Sequence, residues 1–366
     1  MSVDLPIEGD VDKPVPALRA WVENGYPFAS RGDRVPLMKK LLVFVSVYPL
    51  IALLSLRAGA VLTGLSGIAT FFSGAHPVLV VVTLAIGFAL GSYLLGAITG
   101  DYSWVDRLWS TAPIAFAWVY AVRSSLAFAP TIAAILITVW GLRLSYNFAR
   151  RGGYTTMEDY RWPILRERIG NAVIWQLFNL LFISGFQVSL FVLFTAPVYR
   201  LATLDVALAP ITVAAAAIAF VVMLAVETVA DQQQWTFQNI KHGELADDDP
   251  PGWFAVGSAD ASVGLREDLE QGFLTHGLFH YSRHPNYFGE LGVWWVVYLF
   301  AAVAAGGLIH WTGTGAALLT ALFVGSTRFT ESISANRYPR YTEYQERTSA
   351  VVPWPPAPPT EQEQVD

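Results

Sequence analysis

Eight largely apolar stretches, near 41–60, 77–100, 108–123, 126–148, 172–195, 208–229, 287–306 and 313–328, dominate this chain. About 20 apolar residues wound as a helix match the hydrocarbon thickness of a bilayer, and water-soluble domains rarely sustain runs of that length. The bulk composition agrees, with 54% of the 366 residues hydrophobic and 14% charged, where a soluble domain is about a quarter charged. The expectation is an all-α, polytopic integral membrane bundle of seven to eight transmembrane helices. No polar segment exceeds roughly 60 residues, which is short for a separate soluble catalytic domain.

The positions of the charges set an orientation. If the N-terminus is cytoplasmic, the basic residues of the loops, from Arg31, Arg34, Lys39 and Lys40 through Arg107, Arg150, Arg151 and Arg161 to Arg283, Arg337, Arg340 and Arg347, fall on one side. Only Arg57, Arg123 and Arg200 lie near the other. That is the positive-inside pattern, with both termini cytoplasmic. Residues 1–40 carry Asp4, Glu8, Asp10 and Asp12 before any apolar core, so they read as a cytoplasmic tail rather than a leader, with an interfacial helix at "ALRAWVENGYPF". Residues 41–352 form the membrane domain, and 353–366, rich in proline and acid, read as a disordered tail. The absence of cysteine excludes disulfides, thiolate metal sites, iron–sulfur clusters and a cysteine nucleophile. Nothing suggests nucleic acid.

Chemistry concentrates where the run 287–306 begins, at "YSRHPNYFGE", Tyr281 to Glu290. Pro285 suits the first turn of a helix, whose free N–H groups would favour an anion beside Arg283 and His284. Asn286 and Glu290, four residues apart, share a face, and Trp294 extends it. The plain alternative makes Arg283 a snorkelling anchor and puts Tyr281 and Tyr287 in the aromatic belt. It accounts poorly for Glu290, because an ionisable group inside a span is a functional suspect by default. Elsewhere, Arg150 and Arg151 beside Gly152 and Gly153 offer forks for phosphate oxygens, although a basic juxtamembrane loop accounts for either arginine singly.

The string "GLFHYSRHPNYFGELGVWW" resembles the C-terminal signature of the steroid 5-alpha-reductase family, in its bacterial DUF1295 branch. The resemblance extends to "DYSWVDRLW", "WGLRLSYNFARRGGYTTMEDYRW", "ADQQQWTFQ" and "RYPRYTEYQERTSAVVPW". It implies a reductase of the bacterial inner membrane, of the 3-oxo-5-alpha-steroid 4-dehydrogenase type. Such an enzyme binds NADPH among its helices and passes hydride to an activated carbon–carbon double bond of a lipid or sterol-like substrate. By the same resemblance Asn286 holds the nicotinamide end, with Tyr281, Arg283, His284, Tyr287 and Glu290 shaping the pocket. Asp231 is a cofactor-binding acid, with Gln238 and Lys241 as weaker neighbours. Asp159, Tyr160 and Arg161 match a family motif, and Arg340, Tyr341, Tyr344 and Arg347 close the site.

Enone reduction also needs a group that polarises the carbonyl and a proton source. Asp101, Tyr102, Asp106 and Trp109 are the candidates, because a carboxyl in an apolar pocket can remain protonated and donate. The glutamate and tyrosine with which eukaryotic steroid reductases hold a substrate carbonyl have no counterpart motif here. Two other readings compete. Isoprenylcysteine and phospholipid methyltransferases share an "RHPxYxG" core and would bind S-adenosylmethionine, which does not call for the doubled arginines. A di-iron site at His276, His280 and His284 has helical ligand spacing, but Gly277 and Pro285 interrupt the helix. No metal is assigned.

Overall fold

The computed structural model describes residues 71, 73–155, 158–159, 161–204, 208–243 and 261–358, and all regular structure among them is helical. The helices are α1 (Pro77–Thr99), α2 (Ala112–Arg123), α3 (Phe128–Arg150), α4 (Arg161–Ile169), α5 (Ala172–Ala202), α6 (Pro210–Lys241), α7 (Ala261–Gln271), α8 (Pro285–Ala304), α9 (Thr314–Arg337) and α10 (Tyr341–Arg347).

Five of them, α1, α3, α5, α6 and α8, are long and apolar enough to cross a membrane. The chain therefore has the fold of a polytopic helical membrane protein. The stretch 41–60, the tail 1–40 and residues 359–366 lie outside the described residues. Two of the expected spans come out differently. The run 108–123 yields α2, whose 12 residues reach only about 18 Å at 1.5 Å per residue. The run 313–328 yields a 24-residue helix in which threonines, serines and Arg328, Glu331 and Arg337 dilute the apolar character.

On α1, Leu79, Val82, Ile86, Leu90, Leu94 and Ile98 are exposed at steps of three and four, a continuous apolar stripe of the kind that faces lipid. In α5 the middle segment, Asn179–Phe186, is wound as a π-helix, and a single inserted residue of this kind often marks a functional position.

The described chain divides into two units. The first comprises Thr83–Trp109 and Tyr146–Val188, together with the described residues before His76. Arg107 organises it: Nε donates to the Gly153 carbonyl at 3.1 Å, Nη2 to Asp101 at 2.6 Å, and the guanidinium lies 4.6 Å from the centre of the Trp104 ring. Gly152, at φ +84°, turns the chain just beyond the end of α3.

The second unit comprises His76–Val82, Ser110–Ser145 and the chain from Ser189 onward. Its α6 and α8 approach so closely that a Cβ on Gly289 would lie 2.6 Å from Glu227 Cβ and 2.7 Å from its backbone nitrogen. Small residues at such a crossing let membrane helices meet backbone to backbone. Trp140, Trp294 and Phe194 pack beside this crossing, the rings of Trp140 and Trp294 edge to face at 4.9 Å.

Of the stretch 353–366, whose composition reads as a disordered tail, residues 353–358 are described, and Trp354 and Ala357 are hydrogen-bonded there. The Arg283 and His284 N–H groups donate to the Ser349 and Ala350 carbonyls at 2.8 and 3.0 Å, and Trp354 N–H donates to the Tyr281 carbonyl at 2.8 Å. The chain is thus tied down to at least Ala357, whose N–H donates to Arg347.

Candidate functional site

Within the second unit a polar seam runs between α3, α6 and α8 in the middle of apolar helices. Glu227 and Asp231, four residues apart on α6, present their carboxyls to one side, as Asn286 and Glu290 do on α8. Arg143 of α3 forks between the first two, donating to Glu227 Oε1, to the Glu227 carbonyl and to Asp231 Oδ2. Asn286 Nδ2 donates to the other Asp231 oxygen at 3.2 Å. Glu290 accepts from Trp140 Nε1 at 2.8 Å and Trp294 Nε1 at 3.0 Å. Glu227, Asp231 and Glu290 are all buried.

One guanidinium therefore faces three carboxyl groups. A low-dielectric interior tolerates that imbalance only when protons or a cationic ligand make up the difference. Placing such groups in lipid is costly and is typical of working sites.

The threshold of α8 is built differently from an open anion seat. Pro285 does begin the helix, and His284 is its N-cap. Arg283, however, is committed to protein acceptors: Nε and Nη2 donate to the two oxygens of Glu331 at 2.6 and 3.0 Å, and Nη1 donates to the Gln345 and Thr348 carbonyls. His284 also bonds Glu331, at 3.0 Å, and stacks on Tyr287. Burial pushes the Glu331 carboxyl up, but hydrogen bonds from His284, Arg283 and Gln345 outweigh it and hold the group at about 2. Arg283 thus pins α8 to the corner between α9 and α10.

Tyr344 donates to the Phe279 carbonyl at 2.5 Å within a cluster of aromatic rings that includes Tyr341. Lys241 clamps the end of α6 to the Gly272 carbonyl and Tyr338. Tyr281 and Arg340 are exposed, and the Arg340 side chain lies 3.9 Å from Glu343. Gln238 gives its carbonyl to His242. His276 turns to Asp268 and His284 to Glu331, so these histidines have different partners. Among the described residues no group of three or more His, Cys, Asp or Glu could hold a metal.

The first unit gathers the other candidates. Asp101 pairs with Arg107, and Asp159 takes both Nε and Nη2 of Arg161 at 2.8 Å. Tyr102 receives Gln176 Nε2 on its hydroxyl at 3.0 Å and gives its N–H to Glu158 at 2.9 Å. Trp109 donates to Gln187 at 2.7 Å. Arg150 bonds Asn147 and lies over the Tyr146 ring, while Arg151 is exposed. Tyr160 lies outside the described residues.

Asp106 accepts from Trp162 Nε1 at 3.0 Å. Burial and the neighbouring Asp159 raise its carboxyl from 3.8 to about 6, whereas Asp159, despite burial, is held low by Arg161. A carboxyl bound more tightly to its proton in the folded state favours folding at acid pH, and that contribution is lost as pH rises from about 4 to about 6. The melting temperature of the wild type should therefore fall over this interval relative to Asp106→Asn, and the difference should be level above pH 7. Parallel profiles for the two proteins would place the proton elsewhere.

Reading the sequence missed Arg143, Glu227 and Trp140. The rule that singles out Glu290, an ionisable side chain inside an apolar run, applies equally to Arg143 and Glu227.

Fold and site together define a helical membrane protein with a charged seam buried between its spanning helices. The family model described as a protein of unknown function, DUF1295, matches residues 92–348, and the chain belongs to that family. An uncharacterized protein of Schizosaccharomyces pombe is 36% identical over 300 residues, covering 80% of this chain and 84% of the yeast protein. No solved structure matches.

Proposed function

We propose that this protein is a membrane-embedded, NADPH-dependent reductase of a carbon–carbon double bond in a lipid or sterol-like substrate. The observation that carries the reading is the contact between Asn286 and Asp231, which joins two segments resembling the reductase signature inside a charged seam.

The residues present suit the amide end of such a cofactor. Asn286 is half-buried, its Nδ2 is held by Asp231, and its Oδ1, which has no partner among the described residues, would accept from a carboxamide N–H2. Asp231 in turn is fixed by Arg143, so the amide is oriented before any ligand arrives. Arg283 is engaged with Glu331, so it positions α8 rather than gripping phosphate. For the 2′-phosphate the support is the sequence itself, the doubled Arg150 and Arg151 beside Gly152 and Gly153. When bound, NADPH supplies the hydride. The first unit, taken by itself, holds in Asp106 a carboxyl that keeps its proton towards neutrality. The arginine-rich loops fit an orientation with both termini in the cytoplasm of a bacterial cell.

Equilibrium titration of the purified protein tests this reading. NADPH should bind at least about tenfold more tightly than NADH, and Asn286→Ala should weaken it by about tenfold, the worth of one hydrogen bond. Binding of S-adenosylmethionine in place of NADPH would make the chain a methyltransferase instead.

A further inference from the structure

The first unit holds a second set of buried polar groups, and these are not paired with one another. Trp175 Nε1, Gln176 Oε1 and Asn179 Nδ2 are buried without a hydrogen-bond partner among the described residues. They sit within five residues of α5, where its α-helical start passes into the π-helical segment. Trp175 and Asn179 are 2% and 1% exposed. The amide of Asn179 makes one bond among the described residues, with Ser184 at 3.3 Å, so one of its two polar atoms is orphaned whichever way it is turned.

These groups surround Tyr102. Its ring meets Trp175 edge to face at 4.9 Å, and its hydroxyl accepts from Gln176 Nε2, which leaves the hydroxyl proton to give. Gly96 opens the space beside them, since a Cβ there would lie 3.3 Å from the Tyr102 ring and 3.5 Å from Asn179 Nδ2. Native chains rarely leave neighbouring buried polar groups unsatisfied, and such a group calls for an explanation.

We infer that Trp175, Gln176, Asn179 and Tyr102 form a binding site for one uncharged oxygen, carbonyl or hydroxyl, at the polar end of a lipid-soluble molecule. The donors Trp175 N–H, Asn179 N–H2 and Tyr102 O–H match an acceptor oxygen, and Gln176 Oε1 matches a hydroxyl proton. They are neutral, and a carboxylate or phosphate would surrender its hydration to them without a matching charge. The opposite face of the same helix exposes Val173, Ile174, Leu177 and Leu181, so the site belongs to a helix that borders lipid. That the bound molecule is the substrate of the reductase proposed above rests on that reading, but its binding can be tested without cofactor.

The full chain, carrying isotopically labelled tryptophan in detergent micelles, is titrated with hexadecanone, cetyl alcohol and hexadecane. The Trp175 indole signal is assigned by its loss in Trp175→Phe. The expected result is a downfield shift of that indole proton with the ketone or the alcohol and none with the alkane. A response to both assigns the donors alone, and a response to the alcohol only adds Gln176 as acceptor. Asn179→Leu should weaken ketone or alcohol binding about tenfold. Trp175→Phe, which keeps the bulk, should weaken it similarly by calorimetry should the leucine variant not fold. An equal shift with hexadecane, or no shift with any of the three, overturns the site. NADPH binding by the wild type in the same micelles separates failure of this site from failure of the reductase reading.

Discussion

Arg143→Ala should be the most damaging single substitution in the spanning helices. It would leave the carboxyls of Glu227 and Asp231 buried without their guanidinium, and removing one partner of a buried ion pair costs about 3–5 kcal/mol. The Glu227 carbonyl would also lose its donor. The variant should unfold at much lower temperature or detergent stress, and what survives should not hold cofactor, because Asp231 no longer orients Asn286. Arg143→Lys should recover only part of the loss, since an ammonium on one stem cannot reach across both carboxyls as the planar fork does. A melting curve for Arg143→Ala within a degree or two of the wild type would show that the seam does not depend on this charge.

The second large effect is expected at Glu331. This one carboxylate takes Arg283, His284 and Gln345, and those bonds fasten the entry of α8 to the C-terminal segment. Glu331→Ala strips all three and leaves a buried guanidinium without its counter-ion, again a loss of about 3–5 kcal/mol. The C-terminal segment should come away first, and limited trypsin digestion should cut after Arg340 or Arg347 at conditions where the wild type resists. Because the carboxyl is held at about 2, its contribution is present above the ordinary glutamate range and disappears only as pH falls through about 2. Indistinguishable digestion of variant and wild type would contradict this role.

These two residues also mark where the sequence could be read and where it could not. Pro285 announces the start of α8, because the missing N–H and the fixed φ suit that position. The stripe Asn286, Glu290 and Trp294 follows from helical spacing alone, and the structure puts it against α6. Glu227 and Arg143 were hidden because each lies singly in a run whose average remains apolar, although both stand where a charge is costly. Arg283 is legible as a cation at a helix entrance. Its partner is 48 residues further on, and no local pattern tells a phosphate from a distant glutamate. The same applies to residues 353–358: their composition speaks of disorder, while the bonds that hold the segment come from the backbone of Tyr281 and from Arg347. The shortness of α2 depends on the turn at Ser125 and Leu126, both at positive φ, which an apolar run does not reveal.

On the function proposed above, the seam around Asn286 serves hydride transfer to a lipid. NADPH deuterated at its transferable ring position, incubated with purified protein and a membrane lipid extract, tests it most directly by mass spectrometry. One lipid species should gain one deuterium and one solvent hydrogen, in step with cofactor oxidation, and none should do so with Asn286→Ala. Lipids left unlabelled while the protein binds NADPH, or labelling that persists in the alanine variant, would contradict it.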